Sequence, residues 1–344
     1  RREQEEARRQ GRLLGIGLAS FTEVVGAGNH KDFDILGLKM IDSAELRVHP
    51  TGKAVLKLGV KTQGQGHETT FAQIVADELG VPIEDVVVQH SDTLGTPFGY
   101  GSYGSRTASV GGGAAIAAAR KIKEKARRYA AHLLEAAVDD IEIVGNEYRV
   151  KGSPDKKKTL QEIAFALDLG FDRPPDMEPY LDETAYYDTP NCTWPFGTHV
   201  AIVEIDEETG QVDLVRYVAV DDVGNKINPM IVEGQLHGGI AQGVGQALWE
   251  GAIYGEDGQL LTGSMLDYAL PKASRLPRFE LDETVTPSPV NPLGVKGVGE
   301  AGTIASTAAV ANAVVDALSP LGIDHIDIPL TPERIWRAVQ ERRG

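Results

Sequence analysis

Three stretches set glycines and a few polar side chains in front of an expected helix. They are Gln63-Gly64-Gln65-Gly66-His67-Glu68, Gly99-Tyr100-Gly101-Ser102-Tyr103-Gly104 and Gly297-Val298-Gly299-Glu300-Ala301-Gly302. The last two match G-x-G-x-x-G, but a dinucleotide fold also needs a feeding strand and an acidic residue about 20 positions on. Residues 286–293 hold three prolines, Leu94-Gly95-Thr96-Pro97 is no strand, and Glu124, at the right distance, falls inside an expected helix. The Rossmann reading is therefore set aside. What the stretches share is a glycine loop entering a helix N-terminus, where unpaired N–H groups and the positive dipole end suit an anion. One such loop is readily a connector. Three in one acidic chain point to a phosphate-bearing ligand held by backbone.

Glu300 stands out chemically, because it is the only charged residue between Gly297 and Asn312. A glutamate in a first turn can simply complement the helix dipole. Between glycines that let backbone approach a ligand, it can instead act as a general base. The eight histidines show no metal-ligand spacing, so a protein-ligated zinc site is not expected, and His67 alone is a candidate for ligand contact. Cys192 reads as a small apolar filler. Asp221, Asp222, Glu204, Asp206 and Glu207 read most simply as strand-end and turn charges.

The elements that must position these groups read as follows. Strands at 44–49 and 53–61 turn at Pro50-Thr51-Gly52, followed by a helix at 69–79, a strand at 85–90 and a long Gly/Ser/Thr loop at 94–113. A helix at 114–137 and a hairpin turned at Gly145-Asn146 complete a first half. The stretch 169–191, with four prolines, reads as a linking or wrapping arm. Strands at 199–206 and 211–221, a helix at 231–250, a strand at 279–285 and helices at 304–318 and after Thr331-Pro332 make a second half. The expected fold is α+β, two hairpin-rich mixed sheets with packed helices. Its expected limits are 1–168, 169–191 and 192–344.

Composition narrows the function classes. With 34 Lys+Arg against 50 Asp+Glu the net charge is −16, which argues against nucleic acid and anionic membrane surfaces as partners. One cysteine excludes an intrachain disulfide framework. The most apolar run, 303–318, reads as about two residues short of a membrane span. No export signal is read, so a cytoplasmic location is expected. The charged opening, 1–12, reads as the continuation of something upstream.

Taken together the loops resemble the molybdenum hydroxylase family, which includes xanthine dehydrogenase, the aldehyde oxidases and aerobic carbon monoxide dehydrogenase. The carriers are residues 63–73 (QGQGHETTFAQ), 101–107 (GSYGSRT), 221–235 (DDVGNKINPMIVEGQ) and 296–300 (KGVGE). Residues 33–39 (FDILGLK) and 48–53 (VHPTGK) look nearest to the carbon monoxide dehydrogenase large subunit. The resemblance covers nearly the whole chain but only the C-terminal half of that subunit. It implies a molybdenum-cofactor-binding domain of the xanthine dehydrogenase type, holding a molybdopterin dinucleotide, the cytosine form in bacterial members. The molybdenum is carried by the pterin dithiolene, with no direct protein ligand.

Residue by residue, the resemblance assigns Gln65, Gly66 and His67 to the cofactor's first loop and Ser102, Tyr103, Gly104, Ser105, Arg106, Thr107 and Ala108 to a pterin and phosphate cradle. Asp222, Asn225 and Gln235 make polar contacts, Lys296, Gly297, Val298 and Gly299 line the metal's approach, and Glu300 is the catalytic base. Implied partners are the N-terminal half of the large subunit, an iron–sulfur subunit and an FAD subunit, in a dimer of heteromers. The copper-binding Tyr-Arg-Cys-Ser-Phe loop of the carbon monoxide enzymes does not occur in these residues, and Cys192 does not match it. An aldehyde- or nicotinate-type hydroxylase with a split large subunit is the alternative reading, and a non-catalytic cofactor-holding assembly module another.

Overall fold

The structure, a computed structural model, describes residues 1–26, 40–170 and 172–343. The stretch 33–39 and His30 lie outside them. Helix α1 (Arg2–Arg9) and strand β1 (Leu13–Thr22) open the chain. A first unit follows: hairpin β2 (Asp42–Val48) and β3 (Ala54–Leu58), helix α2 (His67–Leu79), strand β4 (Val86–Gln89) and helix α3 (Gly112–Leu133). A meander β5 (Ile141–Val144), β6 (Glu147–Val150) and β7 (Ser153–Thr159), helix α4 (Leu160–Leu169) and strand β8 (Leu181–Tyr187) come next. A second unit repeats the order of the first: hairpin β9 (Phe196–Ile205) and β10 (Val212–Asp222), helix α5 (Pro229–Leu248), strand β11 (Phe279–Thr284) and helix α6 (Ala301–Leu318). Helix α7 (Pro332–Arg343) ends the described chain.

Local chemistry accounts for the boundaries. The β2–β3 turn closes when Gly52 donates to the His49 carbonyl at 2.8 Å with φ +87°. Helix α2 ends where Gly80 adopts φ +70° and donates to Ala76 O. Helix α4 starts in a capping box of Thr159 and Glu162, and Asn228 caps α5 by accepting from Ile231 N at 3.1 Å.

The two units build alike sheets. The first sheet runs β4-β3-β2-β8, with β4 parallel to β3, and the second runs β1-β9-β10-β11, with β11 parallel to β10. The remaining pairings in both are antiparallel. In each, the parallel strand is reached through a crossover helix, α2 or α5. The alternation buries Ala54, Leu56 and Leu58 of β3 in one core with α2 and α3, and Ala201, Val203 and Ile205 of β9 in another with α6. Helix α6 packs with small residues: a Cβ on Gly17 of β1 would lie 2.0 Å from Ala309 O, and one on Gly239 of α5 would lie 2.9 Å from Gly302. With its following turn, Ala301–Leu321 is long and apolar enough to cross a membrane by length and composition, longer than the sequence reading allowed. Here Ala309, Ala313 and Ala317 are buried in the second core, so its apolar character is that of a core helix.

Pairing cuts across the expected division at 168. Strand β1 joins the second sheet, and β8, inside the proline-rich arm, closes the first sheet against β2. The hairpin expected at Gly145-Asn146 forms as β5-β6, and a strand that was not anticipated, β7, extends it to a third sheet. The sequence of β7, SPDKKKT, is mostly exposed and pairs only with β6.

Candidate cofactor cleft and its carboxylate pair

Loops leave the carboxyl ends of the adjacent parallel strands β3, β4, β10 and β11 and enter α2, α3, α5 and α6. Open α/β sheets place ligands at this end, because strand termini and helix N-termini face the same space. The four loops enclose a cleft of about 490 Å³. Every site residue expected from the sequence lines it except Gly66, Arg106 and Asp222.

From the first unit come Gln65 and His67. Gly66 itself turns the chain at φ +71° into α2, and a Cβ there would meet Ile231. The Gln65 amide oxygen accepts from Gln63 N, so the side chain lies along its own loop. His67 is buried and its Nδ1 has no partner. Burial, with His90 nearby, holds its pKa below the usual histidine value, so the ring is neutral at pH 7. Ser102, Tyr103, Gly104, Ser105, Thr107 and Ala108 form the second wall. Thr107 Oγ1 donates to Ser102 Oγ at 2.8 Å, and a π-helical turn, Thr107–Gly111, leads into α3. The sequence reading placed this turn in a loop.

Arg106 does not reach the cleft. Its guanidinium is buried, pairs with Asp42 at 2.9 Å, and donates to Gly101 O and Met40 O, each at 2.8 Å. It fixes the loop from behind, in place of the direct cofactor contact expected of it. Asp222 acts likewise in the second unit. It is buried against Lys296 Nζ at 2.7 Å and accepts from Gly224 N at 3.1 Å. Burial opposes its ionisation, but Lys296, Thr286 and the Gly224 amide hold its pKa below the usual range. Asp221 is buried too, with His199 Nε2 at 3.2 Å. Both end β10, the strand-end position that the sequence suggested, but as buried partners of His199 and Lys296 and not as solvated charges. Asn225, Gln235, Lys296, Gly297, Val298 and Gly299 line the cleft as expected, and the sequence reading missed Lys226 and Asn228 beside them.

Glu300 is the N-cap of α6 and lines the cleft. Ser105 Oγ donates to its Oε2 at 2.8 Å, and Glu300 N donates back to Ser105 Oγ at 3.1 Å. Ser105 holds φ +50°, a conformation rare outside glycine. Gly297 permits the contact: a Cβ there would sit 2.1 Å from Ser105 O. A second carboxylate meets Glu300, that of Glu23, just past the end of β1. Its pKa is pushed up to about 8 by burial, by the charge of Glu300 and by hydrogen bonding with it. Sequence reasoning missed Glu23, since it belongs to none of the motifs. Only the folded β1–α6 contact brings it there.

A family model described as the molybdopterin cofactor-binding domain matches residues 1–277. The chain belongs to this family. The large chain of carbon monoxide dehydrogenase from Hydrogenophaga pseudoflava is 47% identical over 330 residues, 96% of this chain and 41% of that protein. The structure of carbon monoxide dehydrogenase from Oligotropha carboxidovorans superposes with a TM-score of 0.92 at 45% identity, over 99% of this chain and 43% of that one. Quinoline 2-oxidoreductase from Pseudomonas putida 86 superposes with a TM-score of 0.91 at 43% identity, over 99% and 44%. The chain thus spans about two fifths of the length of the curated relatives it matches.

The cleft of this molybdopterin-binding chain suits such a ligand. Gly104 lines the cleft at φ +54° with open space where a side chain would stand, which leaves backbone free to approach. His67 Nδ1 offers an unsatisfied polar atom at the wall. Among the described residues, no group of three His, Cys, Asp or Glu side chains could hold a metal ion.

Proposed function

We propose that this chain is the molybdenum-cofactor-binding part of the large subunit of a molybdenum hydroxylase, most like aerobic carbon monoxide dehydrogenase. The observation that carries the reading is the meeting of Glu300 with Ser105 on the wall of a cleft built from four backbone loops. The loops of residues 102–108 and 297–299 bind the pterin and phosphates through backbone N–H groups, in the cytosine dinucleotide form. Gln65, Asn225 and Gln235 add polar contacts. The paired side chains Arg106–Asp42 and Lys296–Asp222 hold those loops in place. When bound, the cofactor supplies the oxygen transfer and electron acceptance that no side chain here can perform. Glu300 removes a proton from the attacking oxygen at the cleft, and Ser105 orients its carboxylate.

The reaction under this reading is CO + H2O → CO2 + 2 H⁺ + 2 e⁻. The electrons pass to iron–sulfur and FAD subunits, because one cysteine cannot ligate a cluster. The N-terminal half of the large subunit completes the pocket, in a cytoplasmic dimer of heteromers. A second reading, an N-heterocycle hydroxylase, is favoured by the close superposition on quinoline 2-oxidoreductase. The test is metal analysis of the purified complex, nucleotide release by acid, and turnover with carbon monoxide, quinoline and an aldehyde. Equimolar molybdenum and cytosine nucleotide with carbon monoxide turnover is the expected result. Turnover of quinoline alone selects the second reading, and active material without molybdenum overturns both.

A further inference from the structure

Two carboxylates meet beside the cleft, and only one of them, Glu300, is used by the function proposed above. Glu23 is carried there by β1, whose Gly15 and Gly17 lie directly against the backbone of α6. Its amide is fixed by donation to Pro195 O at 3.0 Å. Its Oε2 is buried with no hydrogen-bond donor to satisfy it. Two ionised carboxylates have no proton to share, so this contact becomes a hydrogen bond only when one of them is protonated. Like charges held this close cannot both stay ionised in a half-buried site.

The neighbouring cations are committed elsewhere. Arg106 is paired with Asp42, and Lys296 is paired with Asp222 and lies 4.6 Å from the Phe196 ring. On β9 and β10, His199 is bound to Tyr217 and Asp221. From the facing loop, Ser105 already donates to Glu300. Glu300 is left as the charged group acting on Glu23.

We propose that Glu23 is a positioning residue that keeps the pair's single proton and donates it to Glu300, so that Glu300 faces the cleft as an oriented carboxylate. This rests on Glu300 being the base. With Glu23 protonated, the Glu300 carboxylate accepts from two donors, Glu23 and Ser105, and is held toward the cleft. When Glu23 ionises, that donor is lost and the two groups repel, so the pair loses its working geometry on the alkaline side.

The experiment uses the purified holo complex. Infrared spectra across a pH series should show a protonated-carboxyl band that disappears around pH 8, where Glu23 titrates. Glu23→Gln should lack the band, and Glu300→Gln should move its loss to lower pH, because the neighbouring charge is gone. The pH profile of kcat/KM should show an alkaline limb in the wild type that Glu23→Gln removes. Glu23→Leu should lose about 10- to 100-fold in turnover, the scale of one hydrogen bond to a charged group, and Glu23→Gln, whose amide still donates, should recover most of it. A wild type with no such band, or a band unchanged in Glu23→Gln, overturns the proposal. So does an alkaline limb that survives Glu23→Gln. Full turnover in Glu300→Gln would overturn the base reading instead, and the infrared titration tells the two failures apart.

Discussion

The two units of this chain share an order of elements and a sheet pattern, yet they bring different chemistry to one cleft. The first supplies glycine turns, hydroxyls, amides and a histidine held neutral. Every lining side chain with a formal charge, Lys226, Lys296 and Glu300, comes from the second. Each unit fixes its loop with a buried ion pair, Arg106–Asp42 in one and Lys296–Asp222 in the other. The contrast is one of charge: both halves present loops and amides to a ligand, and under the proposed reading only the second also acts on it. Ser105 is where the two meet, since it belongs to the first unit and hydrogen-bonds the Glu300 carboxylate of the second.

The largest expected effect breaks the acting half alone. Glu300→Gln keeps size and most hydrogen bonding but removes the proton acceptor, and should lower turnover per molybdenum by about 10²–10⁴-fold. Molybdenum and nucleotide content should stay at wild-type level, because the loops are untouched. A variant that turns over within about threefold of wild type would leave Glu300 as a dipole-complementing cap.

Removing one member of a buried ion pair strands a charge, which typically costs about 3–5 kcal/mol. Arg106→Met and Lys296→Met should both reach that range in chemical denaturation. They should differ in cofactor retention: Lys296 lines the cleft and Arg106 does not. Equal loss of nucleotide from the two variants would erase the distinction between a group that holds the loop from behind and one that also faces the ligand.

The hinge between the halves is tested by Gly297→Ala. Its methyl would meet Ser105 O at 2.1 Å, so the loops must part, at a cost of about 1–3 kcal/mol for overpacking. Loss of turnover should exceed loss of stability, since Ser105 then no longer aligns Glu300. Gln65→Ala is milder. It removes one neutral contact worth roughly 1 kcal/mol, and should raise the rate of cofactor loss several-fold while kcat of the loaded enzyme holds.

These contrasts also mark what could be read before folding. The hairpin turns, the glycine loops and the position of Glu300 at a helix start are local, and local spacing reveals them. The burial of Arg106, Asp222 and Asp221 was not legible, because a charged residue in a sequence does not disclose it. Their partners, Asp42, Lys296 and His199, lie between 22 and 74 positions away. Glu23 is farther still from Glu300, and only the pairing of β1 into the second sheet brings them together. Strand β8 was hidden by the prolines around it. Strand β7 was hidden by its lysines, since an exposed edge strand needs no apolar face.

The smallest effect separates the two ion pairs by acid. Asp222 has a depressed pKa in the fold, so its stabilisation is present above the unfolded value and is lost as pH falls through the folded one. Asp42 is shifted the other way: burial outweighs Arg106 and raises it. Its relative contribution is therefore fullest below the unfolded value and declines as pH rises through the folded one. Unfolded aspartate titrates at about 3.9. Thermal unfolding of Asp222→Asn and Asp42→Asn against wild type, from about pH 6 downward through that value, should give difference curves of opposite slope. The deficit of Asp222→Asn should shrink toward acid and that of Asp42→Asn should grow. Parallel slopes would mean that the two pairs are equivalent anchors, and that the difference between the halves lies only in what faces the cleft.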